Sequence, residues 1–600
     1  MNSGRRALGR RIAVLRRANE LARGAGTGAT LTVLGLTAIT ALGPAALVLL
    51  ARSFVDAALP RVGHVPRAST YVPLAIAIAV VGATQRTVGT IQSNRLEGFA
   101  REVGRLADAR FLRAAYEGDM RNFDDPDWHD RMSRAARELT FRPTVLIGST
   151  VTAIGAVLTL GALVAALTAL SPLVVALALF ATILPTPLQR RSTRDIYQYH
   201  FGVSTEEREQ SYLRTLLTDA GAAAEARAYG FGPHVLARQQ RLAAGINETL
   251  RRLRSRASWY AVVAGTTAAI ALAVAYSSIG RQAAHGEITA GDLTAVIAAV
   301  AAVAGQFTTI VNAALAFDEN AAFVDDYFAF VDQDHAVATP SAPLPLPSTR
   351  TPRLTFDNVS FTYPAGTRPA IDGLSFEVAP GELIAIVGEN GSGKTTLAKL
   401  LLRFYDPTEG NVRFGGVDLR EVDPSAIRER FGVVFQAPLP IFLTARDQVA
   451  FGRPEQPADD TAIWAALRAA RADHIVAALP QQLDSTVGPL FEGGHNLSGG
   501  EWQRLALARL MYRDADVWIL DEPTAHLDPS AEAQIFGDVR KMLGERGGVL
   551  ISHRFTTTRV ADRILVLAHG GIVETGTHDE LLASGGTYAE MYRAQAEQFR

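Results

Sequence analysis

The sequence Ile384-Ala-Ile-Val-Gly-Glu-Asn-Gly-Ser-Gly-Lys-Thr-Thr396 joins a strand-like apolar run, residues 383–387, to a helix-forming run, residues 397–402, through a glycine-rich turn. Strand, glycine-rich loop and helix in this order are the context that a phosphate-binding loop requires. The glycines let the backbone turn tightly, so that successive N–H groups and the positive end of the following helix surround phosphate oxygens. We therefore predict that this stretch binds the phosphates of a nucleotide.

The spacing of the lysine and the hydroxyl residues supports the same prediction. Gly388 and Gly393-Lys394-Thr395 match the pattern G-x-x-x-x-G-K-[ST]. In this pattern the lysine reaches the β- and γ-phosphates and the hydroxyl binds Mg²⁺. The predicted phosphate-binding residues are Gly388, Glu389, Asn390, Gly391, Ser392, Gly393, Lys394, Thr395 and Thr396.

The composition limits the class of protein. A chain of 600 residues, of which 48% are hydrophobic and 20% charged, has room for several domains and for apolar segments beyond an ordinary core. Its formal net charge of −1 gives no support for a nucleic-acid partner. Because the chain has no cysteine, disulfides, thiolate metal sites, iron–sulfur clusters and a cysteine nucleophile are excluded.

Long runs with few or no charged residues recur before residue 320. A bilayer crossing takes about 20 residues, so the run from 143 to 189 is long enough for two crossings, with a turn at Ser171-Pro172. A basic segment, residues 1–27, precedes the first run, which is too long for the apolar part of a signal peptide. We predict six spans in a lipid bilayer, near residues 29–50, 68–94, 143–170, 173–189, 257–280 and 293–317.

Arginine is concentrated in two long connections, residues 94–141 and 190–256. The positive-inside tendency places these connections and both termini in the cytoplasm, which predicts a multi-pass protein of the cell membrane, that is, an inner or plasma membrane. Apolar residues continue at helical spacing through both connections, so we expect helices that extend past the bilayer. Each connection has a break, at residues 124–128 and 229–233, which is either a short crosswise helix or a solvated turn.

A second domain follows the membrane segments. The transmembrane domain is predicted to cover residues 28–333, a proline-rich extended linker residues 334–350, and a nucleotide-binding domain residues 351–600. In the last of these, a buried-strand pattern ends in Asp521-Glu522. Asp521 can hold Mg²⁺ through water and Glu522 can act as general base on the attacking water, whereas capping of the next helix is the alternative role.

These motifs, together with Asn496-Leu-Ser-Gly-Gly-Glu501 and Gln503-Arg504, resemble those of ATP-binding cassette (ABC) transporters. The resemblance covers nearly the whole chain and is specifically to exporter-type half-transporters, in which a membrane domain is fused to a C-terminal cassette. It implies an all-α transmembrane domain of six helices with long cytoplasmic helical extensions, followed by an α/β P-loop ATPase cassette with a helical subdomain. It also implies that the nucleotide is ATP, with Mg²⁺.

The resemblance implies roles for further residues. The signature residues Ser498-Gly499-Gly500 would bind the γ-phosphate of the ATP held by the other cassette, and Tyr363 would stack on adenine. Gln436 would sense Mg²⁺ and contact the membrane domain, Asp528 would communicate between cassettes, and His553 would contact the γ-phosphate. The predicted catalytic residues are therefore Lys394, Gln436, Glu522 and His553, and the predicted metal-binding residues are Thr395, Gln436 and Asp521.

Two stretches depart from the family pattern. A third agrees with the pattern but has no evident chemical role. Glu501 stands where the family usually has glutamine, which adds a negative charge beside the signature. Residues 487–495 are bulkier than the usual short polar stretch there, so their effect on coupling is open. Gly286-Glu-Ile-Thr-Ala-Gly-Asp-Leu293 is similar to a family segment in the membrane domain.

One chain supplies one phosphate loop and one signature, so the resemblance implies a dimer, either a homodimer or a heterodimer with a second half-transporter. The predicted activity is ATP hydrolysis coupled to export of a hydrophobic or amphipathic substrate, such as a lipid, drug, natural product or peptide, by alternating access. An importer on the same fold and an ATP-gated channel or regulatory membrane protein remain alternatives. A soluble cassette ATPase is inconsistent with the apolar runs.

Overall fold

The computed structural model divides into two compact units, one of Met1–Glu117 with Asp130–Gln333 and the other of Gly118–His129 with Asp334–Arg600. We call them the helical unit and the cassette unit. The predicted Asp528 and nearly all of the predicted span 173–189 lie outside the described residues. The structure describes residues 13, 16–59, 66–136, 142–168, 187, 191, 195, 199, 204–333, 337, 339–364, 366–523 and 540–597.

Long helices make up the helical unit. Four described helices are long and apolar enough to cross a membrane, and they contain the predicted spans 29–50, 68–94, 293–317 and most of 143–170. The predicted span 257–280 lies inside a fifth long helix. The helices are α1 (Thr27–Ala58), α2 (Ala68–Glu117), α3 (Pro126–Ala136, which begins in the cassette unit), α4 (Arg142–Thr168), α5 (Ser204–Thr218), α6 (Ala220–Ala228), α7 (Gly232–Ala284) and α8 (Ala290–Val331).

The lengths of α2 and α7 bear on the predicted extensions. These helices have 50 and 53 residues. At about 1.5 Å per residue each is roughly 75–80 Å long, whereas the hydrocarbon core of a bilayer is about 30 Å thick. Each helix is therefore long enough to cross the bilayer and to continue well beyond it.

Small residues allow α1, α4, α7 and α8 to pack closely. Their shared core is made almost entirely of alanine and valine with one leucine and one isoleucine. In a bilayer, where lipid is as apolar as the side chains, close van der Waals contact of this kind favours helix association. The buried residues are Ala45, Val48, Leu163, Ile279, Ala295, Val296, Ala299, Val300 and Val303.

A proline inside α1 is compensated by a side chain from α2. Pro44 has no N–H, so the carbonyl of Thr40 lacks its usual helical donor. Gln85 Nε2 donates to that carbonyl at 2.9 Å. A Cβ on Gly43 would lie 1.7 Å from the same nitrogen, so glycine is needed for the approach. The Gly43-Pro44 pair therefore fixes α2 against α1 within the two predicted spans.

The segment 286–293 has a structural role at the start of α8. Thr289 caps the helix in a capping box with Asp292. The Asp56 carboxylate, near the end of α1, accepts hydrogen bonds from the Gly291 amide and the Thr289 hydroxyl, both at 3.0 Å. Arg52 Nε lies 2.7 Å from Asp292 Oδ1. Carboxylates at a helix N-terminus are stabilised by its free N–H groups, so this motif fastens α8 to α1.

The cassette unit contains two sheets. The smaller is antiparallel with strand order β2-β1-β4-β5, and the larger has the order β10-β9-β3-β8-β7-β6, in which β9, β3, β8, β7 and β6 are parallel. The strands are β1 (Leu354–Phe361), β2 (Ile371–Val378), β3 (Leu383–Gly388), β4 (Glu409–Phe414), β5 (Val417–Asp418), β6 (Phe431–Val434), β7 (Val517–Asp521), β8 (Gly547–Ile551), β9 (Arg563–Ala568) and β10 (Gly571–Gly576).

Helices cover the larger sheet, whose central strands β3, β7 and β8 are buried along almost their whole length, as expected for parallel strands. One group of helices packs on Trp518, Leu520 and Leu550 and forms the helical subdomain. The helices are α9 (Lys394–Leu401), α10 (Pro424–Arg430), α11 (Ala445–Ala450), α12 (Asp460–Ala469), α13 (Asp473–Ala477), α14 (Gly499–Arg513), α15 (Phe555–Thr558), α16 (His578–Ser584) and α17 (Thr587–Glu597).

The direction of the strands determines where functional side chains meet. Parallel neighbours β3, β8, β7 and β6 all end at the same edge of the sheet. The residues that follow these ends are the phosphate loop, His553, Glu522 and Gln436. Residues more than 160 positions apart in the sequence are thereby brought to one edge.

We predict that Gly291→Ala destabilises the helical unit. The added Cβ would lie 2.4 Å from the Arg52 carbonyl and 2.6 Å from an Asp56 oxygen, so α1 and α8 must separate. Overpacking of this kind costs about 1–3 kcal/mol, which should lower the apparent midpoint of thermal unfolding of the purified chain in detergent.

The matched control is Gly305→Ala on the same helix, where nothing lies within 4 Å of the new Cβ. We expect its midpoint to equal or exceed that of the wild type, since alanine is the better helix former. Equal midpoints for Gly291→Ala and the wild type would contradict the close contact of α1 with α8.

Candidate functional site

The phosphate loop has the backbone that its glycines permit. Gly393, with φ 103°, immediately precedes α9, and a Cβ there would lie 2.5 Å from the Ala370 carbonyl oxygen. A Cβ on Gly388 would lie 2.3 Å from the Leu567 carbonyl oxygen. Both positions therefore exclude larger residues, because the loop passes against neighbouring backbone. The Ser392 hydroxyl is buried and has no hydrogen-bond partner among the described residues.

Lys394 begins α9 and is almost fully buried, at 8% exposed. Its ammonium donates to the carbonyls of Gly388 and Glu389, both at 2.8 Å. Burial lowers the pKa of Lys394, against the opposing effect of the Glu522 and Asp521 carboxylates. The loop thus curls around a buried cation whose hydrogen-bond partners among the described residues are neutral carbonyls, with negative charge nearby, an arrangement that suits a polyphosphate.

Thr395 and Asp521 face each other across the ends of α9 and β7. The Thr395 hydroxyl donates to Asp521 Oδ2 at 3.3 Å. Burial raises the pKa of Asp521, and this effect exceeds the lowering by Thr395 and Lys394. A hydroxyl and a carboxylate at this separation are hard oxygen donors of the type that Mg²⁺ prefers, with phosphate and water completing the shell.

Glu522 is the centre of the site. Gln436 Nε2 donates to Glu522 Oε2 at 2.6 Å, and His553 Nδ1 lies 2.7 Å from Oε1. The Glu522 side chain is 12% exposed, whereas that of His553 is 49% exposed. The structure thus brings together three of the four predicted catalytic residues, Glu522, Gln436 and His553. The fourth, Lys394, lies close enough for the Glu522 carboxylate to raise its pKa against the effect of burial. Gln436 and His553 thus hold the two oxygens of the Glu522 carboxylate.

Tyr363 lies beside the phosphate loop. Its hydroxyl is 3.1 Å from Thr396 Oγ1, and its half-buried ring meets the Tyr405 ring edge to face at 5.4 Å. The Lys399 ammonium lies 5.1 Å from the centre of the Tyr363 ring. A partly open ring next to the loop is suitable for stacking on a base.

The signature residues occupy the start of α14. Ser498 caps this helix, and its hydroxyl donates to Glu501 Oε2 at 2.9 Å, while the Ser498 amide donates to the same oxygen at 2.7 Å. The residue that departs from the family pattern therefore completes a capping box. Gly499 and Gly500 follow as the first helical residues. Within the described part of the cassette, the side-chain hydrogen bonds of Ser498 are made with Glu501 and do not reach the phosphate loop.

Segment 118–129 groups with the cassette although it is more than 200 residues away from it in the sequence. It contains a single-turn helix, Met120–Asp124, and the start of α3. The Tyr405 hydroxyl donates to the Asp124 carboxylate. Burial raises the pKa of Tyr405, and the hydrogen bond to Asp124 adds to the increase. The break therefore contains helical structure, whereas its predicted crosswise direction stays a prediction.

Gln503 and Tyr405 were not among the predicted site residues, yet both lie next to them. Gln503 Nε2, on α14, donates to the backbone carbonyl of Glu522 at 3.3 Å. Tyr405 contacts the Tyr363 ring. The sequence offered one signal, the position of Gln503 just after the signature. Each of the two contacts joins segments that only the tertiary fold brings together.

Comparison with known proteins gives one match to the cassette and another to nearly the whole chain. Residues 371–525 match the ABC transporter domain family. Over nearly the whole chain, the fold is similar to that of a bacterial Atm1-family ABC exporter solved with ATP bound. The TM-score is 0.80 and the identity 26%, and the alignment covers 96% of this chain and 100% of the exporter.

Curated relatives are similar mainly over part of their length. The ATP-dependent lipid A-core flippase of Burkholderia orbicola is 38% identical over 331 residues, which are 55% of this chain and 54% of the flippase. The flippase of Chromobacterium violaceum is 37% identical, over 54% of this chain and 55% of its own length. The chain spans about half the length of these relatives. The subtilin transport ATP-binding protein SpaT of Bacillus subtilis is 26% identical over 82% of this chain and 80% of its own length.

We predict that Tyr405→Phe loosens segment 118–129 from the cassette. The substitution removes only the hydroxyl that bonds the Asp124 carboxylate, and hydrogen bonds to charged groups contribute about 1.5–3 kcal/mol. Amide hydrogen exchange across residues 118–129 should therefore become about tenfold faster or more.

Tyr512→Phe is the matched control. Tyr512 is as buried as Tyr405, at 5% exposed, but its hydroxyl bonds the Asp459 amide within the helical subdomain. This variant should leave exchange in residues 118–129 unchanged. An unchanged rate in Tyr405→Phe would show that the Asp124 contact does not hold the segment.

Proposed function

Because the chain resembles exporter-type ABC half-transporters in both sequence and fold, we propose that two copies of it form an ATP-driven exporter in the cell membrane. The observation that carries the proposal is the position of Glu522, bonded to Gln436 and His553 beside the phosphate loop, in a chain that also contains four membrane-length apolar helices. Both termini and the cassettes would lie in the cytoplasm, in agreement with the arginine distribution.

The proposed reaction is hydrolysis of ATP at the edge of the larger sheet. The loop amides and Lys394 would hold the phosphates, and Tyr363 would stack on adenine. The Thr395 hydroxyl and the Asp521 carboxylate would hold Mg²⁺, which would supply positive charge to the phosphates. Glu522 would accept a proton from the attacking water.

Two donors prepare Glu522 for this role. Gln436 and His553 hold one carboxylate oxygen each, so the group is oriented before the water arrives. As ATP engages, His553 would turn from Glu522 to the γ-phosphate, which frees one oxygen to accept the proton. Its half-exposed ring has room for this movement.

The signature would complete the site of the second copy. Ser498 and the amides at the start of α14 would bind the γ-phosphate held by the partner's phosphate loop. In the present structure the Ser498 hydroxyl is engaged by Glu501, so binding requires that this hydrogen bond be exchanged for one to phosphate. Closure of the two cassettes would then depend on ATP.

Cassette closure would reach the membrane helices through segment 118–129. This segment follows α2, one of the membrane-length helices, and is anchored to the cassette through Tyr405. Closure would favour an outward-facing arrangement of the helices, and hydrolysis would reset it. The names of the relatives, a lipid A-core flippase and a subtilin transport protein, favour an amphipathic lipid or peptide as the cargo.

We predict that the chain purified alone into lipid nanodiscs hydrolyses ATP as a dimer, and that Glu522→Gln lowers turnover by about 100-fold or more, because general-base catalysis contributes about 10²–10⁴-fold. Binding of ATP should remain, since the amide preserves the shape of the side chain. Turnover is measured by phosphate release and the oligomeric state by mass photometry on the same sample.

Glu545→Gln serves as control because Glu545 is an exposed carboxylate of the same cassette. Its turnover should match the wild type. A folded dimer that binds ATP and hydrolyses none would contradict the proposal that two copies are self-sufficient, and a second, different half-transporter would then be required.

A further inference from the structure

Glu522 has a backbone conformation that needs external support. Its φ is +48°, in the left-handed region that residues other than glycine rarely adopt. Such a conformation persists only where surrounding groups over-determine it, and it is concentrated at active sites. The Glu522 amide donates to the Ile551 carbonyl of β8 at 2.9 Å, which fixes one side of the residue.

Gln503 holds the other side. It is completely buried, at 0% exposed, and its Nε2 donates to the Glu522 carbonyl at 3.3 Å. Because this side chain is closed off from solvent, its amide is held by groups of the protein, of which the Glu522 carbonyl is one. Displacing the Gln503 amide would therefore rotate the peptide group that follows Glu522 and change the direction of the Glu522 carboxylate.

Gln503 is also part of the signature helix. It lies one helical turn after Gly499 in α14, whose N-terminus is capped by Ser498. A helix moves as a rigid body over such a short distance. Any shift of the Ser498 end on binding phosphate is therefore transmitted to Gln503 and to the carbonyl it holds.

We propose that Gln503 is a positioning residue that couples the signature of each cassette to the catalytic base of the same cassette. This inference rests on the proposed function, in which the signature binds the ATP of the partner copy. Engagement of one ATP by α14 then aligns Glu522 at the other ATP site. The coupling runs through α14 and the hydrogen bond from Gln503 to the Glu522 carbonyl, and it needs no movement of the membrane helices.

The test is a double-mutant cycle on the full-length chain in nanodiscs. Gln503→Met keeps the volume and removes the donor. We expect kcat to fall at least about tenfold, because small misplacement of a catalytic group costs up to about 10²-fold. KM for ATP should stay within about twofold, since no ATP-binding group changes. In the Glu522→Gln background, where there is no base to position, Gln503→Met should have no further effect on residual turnover measured with radiolabelled ATP.

Gln448→Met is the matched control. Gln448 is also buried, at 1% exposed, and its amide bonds the Ile441 carbonyl and Arg509 rather than Glu522. Its kcat should remain within about twofold of the wild type, and the unfolding midpoints of both methionine variants report whether either is misfolded.

Three results would overturn the inference. Wild-type kcat in Gln503→Met, or an equal loss in Gln448→Met, would leave Gln503 without a specific role. An undiminished loss in the Glu522→Gln background would mean that Gln503 acts by another route. Absence of turnover in the wild type would instead refute the proposed function, and the role of Gln503 with it.

Discussion

The structure of the cassette depends on how Glu522 is held at the end of β7. Its left-handed backbone is fixed by the Ile551 carbonyl on one side and by Gln503 on the other, and its carboxylate is bonded by Gln436 and His553. These residues come from three segments of the chain, because Ile551 and His553 both lie at the end of β8. A movement of any of the three segments would therefore change the orientation of one carboxylate.

In the helical unit, the packing of the long helices depends on glycines that let a polar side chain of one helix reach the backbone of another. Gly43 admits Gln85 to the carbonyl left free by Pro44, and Gly291 admits Asp56 to the start of α8. Both contacts join α1 to another long helix by hydrogen bonds to backbone groups. The Thr40 carbonyl lies within a predicted span, where lipid offers no water as an alternative partner. The core between these helices consists of alanine, valine, one leucine and one isoleucine, which favours close packing, and the polar contacts add specific hydrogen bonds between the helices.

Local patterns predicted much of this architecture. The phosphate loop, the apolar spans and the strand ending at Asp521 follow from short stretches whose physical requirements are strict, and the resemblance to ABC exporters supplied the fold. The sequence could not reveal that Tyr405 bonds Asp124, which is 281 residues away, or that Gln503 holds the Glu522 carbonyl. These contacts depend on how strands and helices pack, and a buried glutamine has the same local signature whatever it bonds. Asp528 and most of the predicted span 173–189 stay predictions, since they lie outside the described residues.

The central claim is that ATP lies between the phosphate loop of one copy and the signature of another. Because the chain has no cysteine, thiols introduced by Asn390→Cys and Asn496→Cys, at exposed positions in the loop and beside the signature, report on this contact alone. In the Glu522→Gln background, a short bifunctional thiol reagent should link two copies of the double variant when Mg²⁺ and ATP are present and not without them, while each single variant should stay unlinked. A double variant that binds ATP but stays monomeric after the reagent would contradict the account.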